Sequence, residues 1–500
     1  MSNTSARPVT EITSGTAATE SSRLCGNMGT TSLVLSVLAF SAPLVTVAGY
    51  VSFAIGFVGQ AAPLAWVVAT AVLLIFAVGY TTMTRHIPRP GAFYTYISLG
   101  FGRVFGVGSA YLATVSYLAI TAGIYAFAGT SLGSMVSMLH GPSAPWWVWA
   151  LVTWVIVTVL GHFNVELSAK VLGVVMVFEI VVVVIFNVFT LVKGGAEGLS
   201  AAPLSPSAFI NGGTGMALLF AFGNFIGFEA TALFRDEVRT PNRTIPRATY
   251  ISVALIGVLY AVSAYSLIIA YGPAAAQDSA NSAPGDMFHD ALSLYVAPAV
   301  SQVAILLVTT SALASVLSVH NVSARYLFNL GADRALPHAL AAVHTRHKSP
   351  HRASLVAAII VLLMVSPFAL ASSDPGFLQG TGSGIGTAGV LILMAMVSLA
   401  VVAYFARRGR PAGESRWNVL VAPILAFLGL AAVVVFAIAR FDLLVGGAPG
   451  ENLWMLLVLL AFVALGCAVA LYYRVKRPDL YARLGRHADS DPIEAELVDQ

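Results

Sequence analysis

Apolar runs separated by short polar connections make up most of the chain. A helix needs about 20 apolar residues to cross the hydrocarbon core of a bilayer. The pattern therefore predicts an all-α polytopic membrane protein with 12 transmembrane helices. The runs lie near residues 32–59, 63–84, 104–137, 146–163, 168–192, 209–234, 247–271, 296–324, 352–371, 384–406, 417–440 and 452–474.

The sixth run is interrupted by Gly223, Asn224 and Gly227, where the middle of the bilayer is expected. Glycine permits backbone conformations that end a helix. Backbone groups freed in hydrocarbon cost several kcal/mol each, so an interruption persists only where it lines a cavity or holds a ligand. A broken helix is therefore favoured, and close helix packing through the small residues is the alternative.

The first run contains a second candidate interruption, because Pro43 and Gly49 lie in the middle of it. Pro43 lacks a backbone donor, and Gly49 permits an irregular turn. A simple proline kink is the alternative for this run alone. The first and sixth runs hold matching places in two sets of five, which is typical of transporters with a 5+5 inverted repeat and a site between the broken helices. Two C-terminal helices would follow this repeat.

Broken helix ends offer backbone donors and acceptors that suit the carboxylate and ammonium groups of an amino acid. We therefore expect the substrate at the two interruptions, with Phe222 and Phe228 as apolar walls or gates. The predicted substrate-binding residues are Thr46, Val47, Ala48, Gly49, Phe222, Phe225, Ile226, Gly227 and Phe228.

The composition supports a membrane protein without a prosthetic group. The chain is 58% hydrophobic and 10% charged, whereas soluble domains carry about 25% charged residues. Cys25 and Cys467 lie at opposite ends of the chain, so there is no disulfide framework or metal-ligand spacing. No phosphate-binding loop is present, and we expect neither a cofactor nor a metal.

The positions of the basic residues predict the orientation. If the start of the chain is cytoplasmic, all 26 lysines and arginines except Lys193 and Arg440 lie in tails, loops or helix ends on that side. The positive-inside rule then places both termini in the cytoplasm. The net charge of +4 reflects this distribution and does not indicate a nucleic-acid partner.

These patterns divide the chain into four regions. Residues 1–31 lack the apolar core of a signal peptide and predict a disordered cytoplasmic tail. Residues 32–406 would form the transporter core of helices 1–10, and residues 407–474 would form helices 11 and 12. Residues 475–500 predict a second cytoplasmic tail.

Two carboxyl groups lie inside apolar runs, namely Glu229 after the sixth-run glycines and Glu179 in the fifth run. Intramembrane acids are functional candidates by default. Burial favours the protonated form of a carboxyl, so we expect Glu229 to be the first candidate for proton coupling and Glu179 the second. Sodium coupling is not excluded, and a purely structural hydrogen bond is the alternative for either acid.

Two further features have functional and structural interpretations. Tyr117, Thr121 and Tyr125 are spaced by four residues, so they share one helix face that either lines the pathway or packs against another helix. His320 in the eighth run would titrate near neutrality if water reached it, although a lone histidine more often packs.

An ordered set of motifs follows the sixth run, namely Phe225-Ile226-Gly227-Phe228-Glu229, Asp236-Glu237-Val238, Pro241, Arg243 and Ile245-Pro246-Arg247-Ala248. It resembles the sixth helix and following loop of amino acid permeases of the amino acid, polyamine and organocation (APC) superfamily. The basic loops at 85–103 and 325–337 resemble the same family. The resemblance covers about residues 32–405 and implies amino acid permease activity.

The chain departs from the family at two points. The family has a Gly-Ser-Gly-like turn where this chain has Thr46-Val47-Ala48-Gly49, which leaves the register of the turn open. Some proton-coupled members have a lysine at the position of Glu179, so this charge reversal could let the glutamate carry the proton or face a cationic substrate. The resemblance also makes Ser315 and Ser318 of the eighth run possible neighbours of Glu179.

The sequence therefore predicts a secondary active permease that carries an amino acid or amine across the plasma membrane of a bacterial cell. We expect it to work by proton symport. An exchanger of basic amino acids or polyamines is the alternative, since such antiporters of the family also carry a glutamate at the Glu229 position. A membrane-embedded enzyme would need a catalytic cluster near one interface, but the intramembrane titratable groups are only Glu179, Glu229 and His320. The substrate, the coupling ion and the oligomeric state stay open.

Overall fold

The computed structural model describes residues 28–87, 93–163, 169–232, 235, 238–344, 349–446, 448, 450, 454–482 and 484. Of the predicted tails at 1–31 and 475–500, residues 1–27, 483 and 485–500 lie outside the described residues. Parts of two motifs also lie outside them, at 88–92 and at Asp236 and Glu237.

The described residues form helices, and one isolated bridge pairs Met28 with Val238. Helix 1 consists of Thr30–Ser41, Pro43–Gly49 and Val51–Val58, and helix 6 of Thr214–Gly223 followed by a 3-10 turn at Phe228–Ala232. Helices 2 to 5 are Pro63–His86, Arg103–Met138, Trp146–His162 and Ala169–Lys193. Helices 7 to 10 are Pro241–Tyr271, Pro298–Ala332, His351–Leu370 and Pro375–Arg408. Helix 11 begins as a π-helical turn at Trp417–Val421 and continues as Ala422–Ala439, and helix 12 is Trp454–Lys476.

Within the described residues, ten helices are long and apolar enough to cross a membrane. Helix 4 and the first half of helix 6 are apolar but shorter. We refer to the two ends of the bundle as the Thr30 end and the Arg440 end. Gly212, which precedes helix 6, lies at the Arg440 end, because a Cβ atom added to it would be 2.5 Å from the Arg440 guanidinium.

The start of helix 10 differs from the apolar pattern for a physical reason. Helix 10 begins at Pro375, earlier than predicted, and its first turns are rich in glycine. Cβ atoms added to Gly382 or Gly386 would lie 2.8 or 2.5 Å from backbone oxygens of helix 3. Small residues lower the hydropathy of this stretch, and they let the two backbones approach closely.

The segment before helix 3 was predicted as a basic loop, but its second part is a buried helix at Phe93–Phe101. The Tyr96 hydroxyl lies 3.0 Å from the Thr84 hydroxyl of helix 2. A Cβ atom added to Gly100 would lie 2.6 Å from the backbone of Ala400 in helix 10. This helix therefore packs inside the bundle at the Thr30 end.

Helix 1 is broken at Ala42, which adopts a left-handed conformation with φ 45° and ψ 73°. Pro43 causes this, since proline disfavours the helical conformation of the preceding residue and begins helices well. The segment 46–49, predicted as the irregular turn, is helical, and the amide of Tyr50 donates to the carbonyl of Thr46 at 2.9 Å. The break therefore lies four residues before Thr46, with a smaller irregularity at Tyr50.

Helix 6 is broken where the glycines predict it. Its first half ends at Gly223, residues 224–227 form turns, and Gly227 has a φ of +115° that favours glycine. The chain then continues as the 3-10 turn that contains Glu229. The two breaks lie together, since the Ser41 hydroxyl donates to the Asn224 carbonyl at 3.0 Å.

Helix 3 lies at the centre of the bundle, where almost every residue from Gly106 to Gly129 is buried. Helix 12 packs on its outer side through a contact between two glycines. A Cβ atom on Gly466 would lie 2.8 Å from the Cα atom of Gly108 and 2.8 Å from the carbonyl of Val107. Backbone atoms cannot yield as a flexible side chain can, so this contact requires glycine.

We expect Gly466→Val to destabilise the protein by about 1–3 kcal/mol, since it forces helix 12 away from helix 3. Thermal unfolding of the purified protein in detergent, followed by tryptophan fluorescence, measures this. Ala464→Val on the exposed face of the same helix is the control and should change little. Equal effects of the two substitutions would contradict the close packing.

Candidate functional site

A cavity of about 70 Å³ lies between the breaks of helices 1 and 6. It has room for about five water molecules, since one needs some 10–15 Å³ of such space. Helices 1, 3, 6, 8 and 10 line it with Ser41, Ala42, Val45, Thr46, Tyr50, Ile120, Ile124, Phe220, Gly223, Asn224, Ile226, Ser315, Val319, Ser383 and Thr387.

Hydroxyl groups satisfy the backbone carbonyls that the break in helix 1 releases. The Thr46 hydroxyl donates to the Ser41 carbonyl at 3.1 Å, and the Tyr260 hydroxyl donates to the same oxygen at 3.3 Å. The hydroxyls of Ser41 and Tyr260 are 2.6 Å apart. The break is therefore held by side chains of helices 1 and 7.

Asn224 connects the break in helix 6 to two other helices. Its carbonyl accepts the hydrogen bond from Ser41 of helix 1 at 3.0 Å. Its side-chain oxygen accepts a hydrogen bond from the indole of Trp66 in helix 2 at 3.2 Å. Through its backbone carbonyl and its side chain, Asn224 thus fixes the position of helix 6 relative to helices 1 and 2.

Aromatic rings cover the cavity toward the Arg440 end. The Phe220 ring stacks on Phe53 and Phe57, with centroids 5.5 and 5.8 Å apart. The ring centroids of Tyr50 and Phe220 are 6.3 Å apart, and the Tyr50 hydroxyl is 3.1 Å from the Ser383 hydroxyl of helix 10. Contacts between these side chains therefore join helices 1, 6 and 10 on the side of the cavity nearer the Arg440 end.

Phe222 and Phe228, the predicted walls, are buried but do not line this cavity. Phe228 packs instead against Phe76 and Tyr80 of helix 2, at centroid distances of 6.0 and 6.3 Å. Successive residues of a helix are rotated by about 100°, so Phe220 and Phe222 point in nearly opposite directions. Phe220 is the aromatic residue of helix 6 that faces the cavity.

Glu229 lies behind the break in helix 6, with 7% of its surface exposed. One carboxyl oxygen accepts a hydrogen bond from the Tyr117 hydroxyl at 2.6 Å, and the other accepts one from the Gly227 amide at 2.8 Å. The Tyr80 hydroxyl donates to the Glu229 carbonyl at 2.6 Å. The carboxyl therefore joins the break to helix 3, and it does not line the cavity.

Glu179 of helix 5 occupies the corresponding place at the other break, with 3% of its surface exposed. Its carboxyl accepts a long hydrogen bond of 3.4 Å from the Leu44 amide, two residues after Ala42. The serine of helix 8 that bonds to it is Ser311. Ser315, one turn further on, lines the cavity, and Ser318 donates to the Ala314 carbonyl of its own helix at 2.9 Å.

The predicted polar stripe of helix 3 does not line the cavity. Thr121 donates to the Tyr117 carbonyl at 2.6 Å, and the buried Tyr125 hydroxyl has no hydrogen-bond partner in the described part of the chain. Ile120 and Ile124 face the cavity in its place. These residues lie one position before the stripe, so the helix is rotated by about 100° from the expected orientation.

The remaining predicted residues divide into lining and supporting groups. Thr46 and Ile226 line the cavity, whereas Val47, Ala48, Phe225 and the two glycines are buried around it. The Gly49 carbonyl accepts a hydrogen bond from the Gln379 amide at 3.2 Å.

His320 is fully buried, and its Nε2 lies 2.9 Å from the Ser354 hydroxyl. This favours the packing role for the lone histidine of helix 8. Among the described residues, no group of three His, Cys, Asp or Glu side chains could hold a metal ion.

Residues 29–471 match the family described as amino acid permease. The low-affinity putrescine importer PlaP of Escherichia coli (strain K12) is 23% identical over 352 residues, which cover 69% of this chain and 73% of that relative. The branched-chain amino acid permease BcaP of Bacillus subtilis (strain 168) is 25% identical over 311 residues, which cover 59% and 65%.

A further relative and a solved structure extend these matches. An uncharacterized transporter of Mycobacterium tuberculosis is 26% identical over 356 residues, covering 69% of this chain and 72% of the relative. The crystal structure of MhsT in complex with L-phenylalanine is similar, with a TM-score of 0.59 and 16% identity, over 83% of this chain and 100% of that one. At this identity the likeness concerns the fold alone.

We expect Tyr117→Phe to lower the free energy of unfolding by about 1–3 kcal/mol, because a buried Glu229 oxygen loses its donor. Tyr125→Phe is the matched control, since this equally buried tyrosine of helix 3 loses no observed hydrogen bond. Thermal unfolding in detergent compares the two. A loss for Tyr117→Phe no greater than that of the control would contradict the bond to Glu229.

Proposed function

The chain belongs to the amino acid permease family, and we propose that it is a secondary active transporter that carries an amino acid across the plasma membrane together with protons. The resemblance found in the sequence is thereby confirmed, and the family and its relatives are transporters rather than enzymes. The observation that carries the proposal is the cavity between two helix breaks, lined by hydroxyl, amide and backbone groups.

We further propose 12 transmembrane helices arranged as a 5+5 inverted repeat with two additional helices. The two breaks at Ala42 and Gly223 support this, because they lie in helices 1 and 6, which hold the same place in each half. The distribution of lysine and arginine supports cytoplasmic termini. Bacterial relatives support a bacterial plasma membrane as the location.

The charged head group of the amino acid would bind at the two breaks. Ser41, Ala42 and Thr46 contribute the helix 1 side of the cavity, and Asn224 and Ile226 contribute the helix 6 side. These residues offer backbone groups, hydroxyls and an amide, which can bind a carboxylate and an ammonium group without a charged side chain. Gly227 supports this site indirectly, since its φ of +115° sets the path of the turn.

Glu229 remains the first candidate for proton coupling. Its carboxyl accepts hydrogen bonds from the Gly227 amide and the Tyr117 hydroxyl. A carboxylate accepts with both oxygens, whereas a protonated carboxyl turns one oxygen into a donor. Protonation would therefore change the attachment of the helix 6 break to helix 3, which would connect proton loading to movement beside the substrate.

Glu179 is the second candidate, by the same reasoning at the other break. Its carboxyl contacts the Leu44 amide and the Ser311 hydroxyl. The contact to Leu44 is long at 3.4 Å, so it is weaker than the contacts of Glu229. Protonation here would change the attachment of helix 1 to helices 5 and 8.

We expect Gly227→Val to abolish amino acid binding while the protein stays folded, since a β-branched residue is strained at a φ of +115°. Binding of labelled amino acids to the purified protein is the measurement. Gly102→Val is a matched control, because Gly102 has a φ of +92° and lies outside the cavity. Wild-type affinity of the Gly227 variant would refute a substrate site at this break.

We expect Glu229→Gln to keep binding and exchange of substrate but to lose uphill uptake driven by a proton gradient. Glutamine resembles the protonated carboxyl in shape and cannot release a proton. Uptake of labelled substrate into proteoliposomes with an imposed pH gradient, and without sodium, measures the coupling.

Glu179→Gln is tested in the same way, with a sodium gradient as the parallel condition. If both variants still concentrate substrate under a proton gradient alone, neither glutamate is the obligatory carrier. If the wild-type protein requires sodium, proton coupling itself is wrong.

A further inference from the structure

We propose that the cavity selects neutral amino acids with small aliphatic side chains and rejects basic amino acids and polyamines, with Ile120, Ile124 and Val319 contacting the substrate side chain. This inference rests on the transport function proposed above, because it concerns the substrate of the same cavity. It decides between the two substrate classes that the sequence left open.

The first reason to expect neutral substrates is the charge of the side chains that line the cavity. Within the part of the chain that the structure describes, the fifteen lining residues are uncharged, and they comprise apolar, hydroxyl and amide side chains and one glycine. An ammonium or guanidinium group on the substrate side chain would therefore enter a buried site without a charged partner. Such burial is strongly unfavourable unless the charge is paired.

The two intramembrane acids do not supply that partner. Neither Glu229 nor Glu179 belongs to the lining. The Glu229 carboxyl is bonded to Gly227 and Tyr117 on its two oxygens, and the Glu179 carboxyl is bonded to helix 1 and helix 8. A cationic side chain in the cavity would therefore have neither carboxyl among the residues that surround it. The suggestion that Glu179 faces a cationic substrate is therefore not favoured.

The second reason concerns where the polar and the aliphatic lining residues lie. The helix breaks contribute hydroxyl, amide and backbone groups, which suit the head group of an amino acid. Helices 3 and 8 contribute Ile120, Ile124 and Val319 together with Ser315, and helix 10 contributes Ser383 and Thr387. An amino acid bound by its head group at the breaks would thus have its side chain against branched aliphatic groups.

The third reason is the size of the cavity. A volume of about 70 Å³ holds about five water molecules. Tyr50 and Phe220 limit it on the side of the Arg440 end, where Phe220 is stacked on two further rings. This space suits alanine, serine or valine better than arginine or tryptophan.

The test uses uptake of labelled L-alanine by the full chain in proteoliposomes, with a proton gradient and unlabelled competitors. L-alanine, L-serine and L-valine should compete well. L-lysine, L-arginine and putrescine should compete at least about 100-fold more weakly, since their side-chain charge would be unpaired in the cavity. Binding to the detergent-purified protein, measured by thermal stabilisation with the same compounds, provides a readout that does not depend on transport.

Val319→Leu tests the assigned contact. We expect this substitution to weaken competition by L-valine about 10-fold relative to competition by L-alanine, because an added methylene group fills space next to the substrate side chain. Val303→Leu is the matched control on the same helix, since Val303 is 49% exposed on the outer surface. The substrate selectivity of this variant should equal that of the wild-type protein. Ile124→Ala should have the opposite effect and favour larger aliphatic side chains.

The outcomes separate this inference from the transport function. Equal or better competition by lysine, arginine or putrescine overturns the inference and leaves the permease function standing. Unchanged selectivity of both the Val319 and Ile124 variants overturns the assigned contacts. If no amino acid binds or is transported, the proposed function fails, and the inference fails with it.

Discussion

Every backbone group released by a helix break inside an apolar bundle must find a partner, and this requirement organises the centre of the molecule. At the first break, hydroxyls of Thr46 and Tyr260 satisfy the Ser41 carbonyl. At the second break, Ser41 satisfies the Asn224 carbonyl, and the Glu229 carboxyl accepts from the Gly227 amide. Unpaired groups of this kind would cost several kcal/mol each. The breaks can therefore exist only where several helices converge on them.

This requirement also shapes the chemistry of the cavity. Since the nearby acids hold the breaks, the described lining is uncharged, and substrate recognition there would depend on backbone groups, hydroxyls and shape. The same arrangement places a titratable group at each break, Glu229 behind helix 6 and Glu179 beside helix 1. A change in protonation at either acid would alter the contacts that hold a half-helix. Substrate recognition and proton coupling would thus use separate groups that meet at the same breaks.

Helix 3 is the scaffold that keeps these parts together. Glycines at its contacts with helices 10 and 12 bring the backbones close, as the Gly466 and Gly386 positions illustrate. Different positions along the same helix then serve three purposes. Tyr117 bonds to Glu229, Ile124 faces the cavity, and Gly108 receives helix 12. A tightly packed central helix can hold a cavity wall in place while neighbouring half-helices move.

The sequence by itself determined the properties that depend on local composition. Run length and hydropathy predicted a bundle of apolar helices, the pair of glycines around Asn224 located the break in helix 6, and the motif string around Glu229 predicted the family. Only the tertiary structure decided which side chains meet. The break in helix 1 lies at Ala42, beside the Pro43 that the sequence indicated, whereas residues 46–49 are helical. Phe220, Ile120 and Ile124 face the cavity in place of the predicted aromatic and polar residues. The reason is that one residue turns a helix by about 100°, and an aliphatic side chain that lines a cavity has the same sequence signature as one that faces lipid.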